Sequence, residues 1–267
     1  MKQFIAPRWA SILNANQLVD FEALWHVKAQ PIDGLNQRQG GYSYVNCLQL
    51  ILPDGQRETV YIKRQLNYFT RELFTCRQLV DREFTVIQTL QQKDIGCPDV
   101  IYYAHDIDNR GNHRAILVTR ELAGFVDLEQ WLQRDEVRAN QQLINLTCAA
   151  VAQAIRRLHA ADWLHYALYG KHIFVKQKHT GELAVCFLDL EKARRAWFMT
   201  WRFQRELSVF MRRTTLLNRR TQQLRFLQAY LNQPVCSTLV RRWWRVLHAR
   251  VKQHLKNYYA TKQHDLA

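Results

Sequence analysis

Glycine and proline are scarce in this chain, 9 and 5 of 267 residues, too few for a collagen-like or low-complexity architecture. No Cys-x-x-Cys pair occurs, and the six cysteines (Cys47, Cys76, Cys97, Cys148, Cys186 and Cys236) are scattered. A metal or dithiol redox role therefore lacks sequence support, and these residues read as reduced, buried thiols of a cytosolic protein. The stretch Met1 to Asp20 lacks the apolar core of a secretory signal. No apolar run approaches the roughly 20 residues of a membrane span. The expectation is a cytoplasmic protein, peripheral at most on the inner membrane.

Acidic residues nearly vanish toward the C-terminus. Residues 194–267 hold 16 Lys/Arg against Glu206 and Asp265, a net of +14, whereas residues 1–193 hold 22 against 21. Such a block attracts polyanions: nucleic acid, anionic lipid or a phosphorylated glycolipid. The pairs Arg194-Arg195, Arg212-Arg213, Arg219-Arg220 and Arg241-Arg242 lie among Trp197, Trp201, Trp243 and Trp244. Arginine with tryptophan suits a membrane interface, where the ring sits at headgroup depth. No base-reading motif accompanies the charge, so no specific nucleic acid is expected as a partner. The plainer alternative is a solvated helical face that serves solubility alone.

What the chain does have is apolar content for a sizeable core, 48% of residues, in a length that suits one domain or a two-lobed pair. Tyr42 to Leu52 reads as a strand, Pro53-Asp54-Gly55 as a turn, and Glu58 to Lys63 as the returning strand. Asp81 to Gln92 has helical spacing, with Phe84, Ile87 and Leu90 on one face. Asp99–Ala104 and His113–Thr119 form a further strand pair. Val126–Arg134 and Asn140–Ala160 read as helices, Ile173 and Leu188 sit in short strands, and the chain is helical from Trp197 onward. Strands first and helices later predict an α+β fold, a sheet-rich lobe followed by a helical lobe, with the hinge near Arg120 to Phe125.

Five features fall in one order on this pattern. Gly40-Gly41 starts the hairpin, Lys63 ends its returning strand, and Glu83 follows on a helix. A loop His165-Tyr166-Ala167-Leu168-Tyr169-Gly170-Lys171-His172 comes next, and Asp189 follows a strand. Each alone is ordinary. Together they match the parts of a phosphoryl-transfer site: a strand lysine on the phosphates, a helix glutamate pairing it, a glycine-containing cover and an aspartate for Mg²⁺.

The chain resembles the lipopolysaccharide core kinases of the Kdo/WaaP type, in particular the InaA-like branch. The resemblance spans roughly residues 35–230. It rests most on Leu168-Tyr169-Gly170-Lys171-His172-Ile173-Phe174 and Leu188-Asp189-Leu190-Glu191-Lys192-Ala193. It implies a protein-kinase-like two-lobed fold, with an N-lobe over residues 1–120 and a helical C-lobe over 121–267. It also implies ATP and Mg²⁺ as cofactors, and transfer of the γ-phosphate to a sugar hydroxyl of the lipopolysaccharide inner core at the cytoplasmic face of the inner membrane. The partners implied are a lipopolysaccharide core or lipid A-core acceptor and, through residues 194–267, the anionic membrane surface.

Carried over by position, Lys63 contacts the α/β-phosphates, Glu83 pairs with it, and Asp189 binds Mg²⁺. His172 takes the place of a second metal-binding residue, and His165 that of the histidine opening the catalytic loop. Gly40 and Gly41 cover the nucleotide, and Glu121 and Leu122 offer backbone groups to adenine. Two departures stand out. Ala167 occupies the position of the catalytic aspartate, and Ser43 stands where a third loop glycine might be. Loss of a general base costs about 10²–10⁴-fold, so a pseudokinase with a regulatory or scaffolding role is the alternative reading.

Overall fold

The computed structural model describes residues 1–32, 34–38, 40–71, 76–197 and 199–264. The chain divides into two compact units: Met1–Gln92 with Cys97–Ala123 and Leu190–Lys192, and Lys93–Gly96 with Gly124–Asp189 and Ala193–Ala267.

The first unit contains β1 (Lys2–Ile5), α1 (Ala10–Ala15), α2 (Phe21–His26), β2 (Gln30–Pro31), β3 (Asn36–Arg38) and β4 (Gly41–Ile51). These are followed by β5 (Arg57–Leu66), β6 (Phe69–Arg71), β7 (Cys76–Gln78), α3 (Leu79–Gln91), β8 (Val100–Ile107) and β9 (His113–Arg120). Among the described residues a seven-stranded antiparallel sheet runs β1-β8-β9-β5-β4-β2, with β3 also on β4, and β6 pairs with β7 separately. Strand alternation sorts β5 into two faces. Val60 and Ile62 are fully buried in a cluster with Trp9, Leu13, Phe21 and Leu24 from the N-terminal helical segment. Lys63 and Gln65 point to the opposite face, where α3 buries Val80, Val86, Ile87 and Leu90.

The returning strand runs past Lys63 to Leu66, because Arg64 and Gln65 are polar yet fully satisfied. Arg64 donates to the Leu24 and Val27 carbonyls and to Asn46, and Gln65 accepts from the Val80 amide and donates to Ser43. Buried polar groups with complete hydrogen bonding extend a strand that their polarity alone would end. The same Gln65–Val80 bond fixes the first turn of α3, which starts at Leu79, two residues before Asp81.

The second unit contains β10 (Val126–Asp127), α4 (Leu128–Gln133), α5 (Asp135–Arg138), α6 (Gln141–Ala160), β11 (Trp163–Leu164), β12 (Ile173–Gln177) and β13 (Leu183–Phe187). Then come β14 (Arg194–Arg195), α7 (Thr200–Arg213), α8 (Arg220–Tyr230) and α9 (Thr238–His264). The spacing predicts a helix from Val126, but Val126 lies in a strand and the helix starts at Leu128. Val126 and Asp127 pair with Val175 and Phe174 of β12, and Asp127 caps α4 by accepting from the Gln130 amide. An extended capping residue sets the helix start behind it. Helix α6 is capped by Asn140 and buries a stripe at helical spacing, Leu143, Thr147, Cys148, Val151, Ile155 and Leu158. It packs on α8 and β13. Among the described residues no helix is long and apolar enough to cross a membrane.

Candidate active site

In the first unit the Lys63 ammonium lies 2.8 Å from Glu83 Oε2 and 2.8 Å from Glu191 Oε2. The lysine side chain is 17% exposed, and the glutamates 10% and 13%. Glu83 sits one turn into α3, so the β5–α3 tie through Gln65 also aims Glu83 at Lys63. Glu191 belongs to a 3₁₀ turn, Leu190–Lys192, that packs against α3, where Arg82 donates to the Glu191 carbonyl at 3.3 Å. The result is one cation held by two shielded carboxylates. Such an ammonium is fixed in position by its two partners.

The glycines have structural roles. Gly40 has φ +82°, and a side chain at Gly41 would sit 2.2 Å from the Asn67 carbonyl oxygen. The main chain leaves no room for a side chain at Gly41, and the positive φ at Gly40 favours glycine. After β9, the Glu121 amide donates to the Thr59 carbonyl, and Leu122 follows as a half-buried residue outside the ladder.

In the second unit the loop after β11 brings His165, His172 and Asp189 together. His165 is fully buried, and its Nε2–H donates to the Leu188 carbonyl at 2.8 Å. Burial pulls its pKa below the usual imidazole range, and Nδ1 has no partner. It is therefore a neutral residue that positions the chain next to Asp189. The His172 ring stacks on it, centroids 5.9 Å apart. His172 Nδ1 lies 2.8 Å from the Ala167 carbonyl, which can only accept, so Nδ1 carries the proton. In the neutral ring Nε2 then presents its lone pair, 3.5 Å from Asp189 Oδ2. A histidine whose far nitrogen donates to a carbonyl has the orientation of a metal ligand. Asp189 adopts φ +56°, a conformation that aspartate tolerates better than most residues.

Of this pair, the Asp189 carboxylate is the hard oxygen donor that suits Mg²⁺, an ion that binds through one or two carboxylates and fills its shell with water and phosphate oxygens, whereas an imidazole nitrogen is a softer donor. Among the described residues no group of three or more His, Cys, Asp or Glu could hold a metal ion.

Ala167 is buried, and it serves the loop through its carbonyl, which accepts from His172 and from the Tyr169 amide. Its neighbour Tyr166 has φ +60° and donates its amide to Glu206 Oε1 at 2.6 Å. Glu206 Oε2 lies 2.8 Å from His159 Nε2, and His159 Nδ1 is 2.8 Å from the Tyr230 hydroxyl. Glu206 is thus a buried anchor for the loop. Neither it nor the second carboxylate on Lys63 follows from local pattern. Glu206 has one possible signal: it is one of two acidic residues in a strongly basic segment.

A model of the lipopolysaccharide kinase (Kdo/WaaP) family matches residues 22–230. The chain belongs to that family. It is 29% identical over 179 residues to Protein InaA of Escherichia coli (strain K12), covering 66% of this chain and 79% of that protein. A solved WaaP, determined in complex with acyl carrier protein, superposes with a TM-score of 0.70 at 20% identity. The match covers 97% of this family member and all of that WaaP chain, and establishes the kinase-like mixed α/β fold.

Proposed function

We propose that this family member is an ATP- and Mg²⁺-dependent kinase that phosphorylates a sugar hydroxyl of the lipopolysaccharide inner core at the cytoplasmic face of the inner membrane. The observation that carries this reading is the 2.8 Å Lys63–Glu83 pair in a shielded environment. A lysine and glutamate so arranged suit the α/β-phosphates of a nucleotide. Within a two-lobed kinase architecture, Gly40 and Gly41 cover the phosphates, and the backbone around Glu121 and Leu122 receives adenine. Asp189, with His172 beside it, would hold Mg²⁺, which would supply neutralisation of phosphate charge. His165 positions Asp189 through Leu188 and does not itself reach substrate.

In the reaction the sugar oxygen bonds to the γ-phosphorus while the bond to the β–γ bridging oxygen breaks. ADP keeps that electron pair, and the hydroxyl proton passes to water. The transition state is loose, so placement and electrostatics do most of the work and a missing base slows transfer without abolishing it. The acceptor is a lipopolysaccharide core or lipid A-core. Residues 194–267 meet the anionic membrane, a role supported by the exposed Trp197, Met199 and Trp201 among arginines.

Ala167 favours a second reading, a pseudokinase that binds nucleotide or a partner without transfer. Incubation with ATP, Mg²⁺ and delipidated core oligosaccharide, read by mass spectrometry, separates the two. The kinase reading expects a gain of one phosphoryl group, lost in Lys63→Met. No gain from a protein that binds Mg-ATP would leave the pseudokinase.

A further inference from the structure

A cavity of about 580 Å³ lies within the second unit, walled by the loop residues Tyr166, Leu168 and Tyr169 and by helices α7 and α9. Its volume is that of a site for a small ligand. Arg202, Arg205, Arg212 and Arg213 reach it from α7, and Arg250 from α9. Among the described residues none of these five guanidiniums has a carboxylate partner. The one carboxylate in the wall, Glu206, is already engaged by His159 and the Tyr166 amide. Arg213 lies 4.6 Å over the Tyr169 ring, and Arg202 5.4 Å over that of Trp201. Burial and the adjacent Arg213 lower the Arg212 pKa, as expected of crowded cations without a counter-charge.

Arg205, Arg213 and Arg250 are exposed and Arg202 and Arg212 half-buried, so the five guanidiniums make the cavity strongly cationic while staying open to a ligand. Arginine recognises phosphate and carboxylate with paired hydrogen bonds. The wall also supplies aromatic faces, Tyr166 and Trp201, suited to the C–H face of a sugar ring. Its third side is the loop that carries Ala167. We propose that this cavity is a subsite for a phosphate or carboxylate borne by a sugar of the acceptor. The identity of the ligand rests on the kinase reading above. The cavity then selects a glycan that is already acidic, and the reaction that installs that anionic group must precede the one catalysed here.

The test is calorimetry without ATP, using delipidated core oligosaccharide and the same oligosaccharide after dephosphorylation and carboxyl reduction. The charged form binds, and the neutral form binds about tenfold more weakly or not at all. Arg212→Gln with Arg213→Gln, and separately the exposed Arg205→Gln, each weaken the charged form by about tenfold. Arg241→Gln with Arg242→Gln, exposed on α9 outside the cavity, leaves binding within about twofold. Arg205→Gln keeps the test decisive if the double variant fails to fold. Equal binding of both oligosaccharides, or an equal loss in the α9 control, would overturn the subsite. So would displacement of the oligosaccharide from the cavity by phosphatidylglycerol vesicles, which would assign the arginines to a lipid headgroup. A parallel Mg-ATP titration separates the two readings: oligosaccharide binding without nucleotide binding leaves the subsite standing and removes the kinase.

Discussion

The two units hold their functional polar groups by different means. In the first, Lys63, Glu83 and Glu191 meet through charged side chains, one ammonium hydrogen-bonded to two shielded carboxylates. In the second, the loop from His165 to His172 is held by main-chain groups: the Leu188 and Ala167 carbonyls and the Tyr166 amide. The contrast explains which residues could change. Removing one member of a shielded ion set weakens the pairing of the charges that stay, and destabilises the fold itself. Replacing the side chain at position 167 removes no bond that this loop uses, because Ala167 contributes its carbonyl. An alanine can stand there while the ion set stays intact, without any need for the site to be idle.

The largest effect is expected where charge does the holding. Lys63→Met leaves Glu83 and Glu191 without their shared cation and lowers the unfolding free energy by about 3–5 kcal/mol. Urea denaturation reads it, and adding Glu191→Gln to the same chain recovers part of the loss. A change below about 1 kcal/mol would mean that solvent screens the trio and that the contrast between the units is false.

Next comes the position the fold does not use. Ala167→Asp supplies a carboxylate where phosphotransferases of this type place their base, and raises the rate of transfer to core oligosaccharide by about 10²-fold or more. An unchanged rate with a folded variant would show that the missing base does not limit this protein. Glu206→Gln should cost about 1–3 kcal/mol, since an amide cannot match the carboxylate that accepts from both Tyr166 and His159. Chemical denaturation checks this, and a loss equal to that of Lys63→Met would erase the distinction drawn here.

The smallest effect is a pH dependence. Burial keeps folded His165 neutral below its ordinary 6.5, while the unfolded chain takes up the proton there. Its contribution to stability is therefore complete above about pH 6.5 and is lost as pH falls, by at most about 1.4 kcal/mol per pH unit. Thermal or urea unfolding in EDTA should show this slope in the wild type and a flatter one in His165→Asn. Equal slopes would place the titration elsewhere.

Much of this was legible in the sequence because it is local. Strand alternation around β4 and β5, the α6 stripe and the Leu-Asp-Leu-Glu-Lys-Ala block each carry their signal within a few residues. Chain-distant pairing is what local pattern cannot carry. Strand β1 owes its existence to pairing with β8, about a hundred residues away, and α1 and α2 are short helices stabilised by the sheet they cover. Glu191 reaches Lys63 across 128 positions, and Glu206 reaches Tyr166 across 40. Local pattern ends β5 at Lys63, three residues before its true end at Leu66, because Arg64 and Gln65 carry the polarity of a strand end and their buried partners are distant in the chain.

The most direct measurement is a calorimetric titration of Mg-ATP into the wild-type protein beside Asp189→Ala. The account predicts binding that requires the metal in the wild type and disappears in the variant, with Ala167 in place in both. Equal binding by the two proteins, or none by a folded wild type, would contradict it.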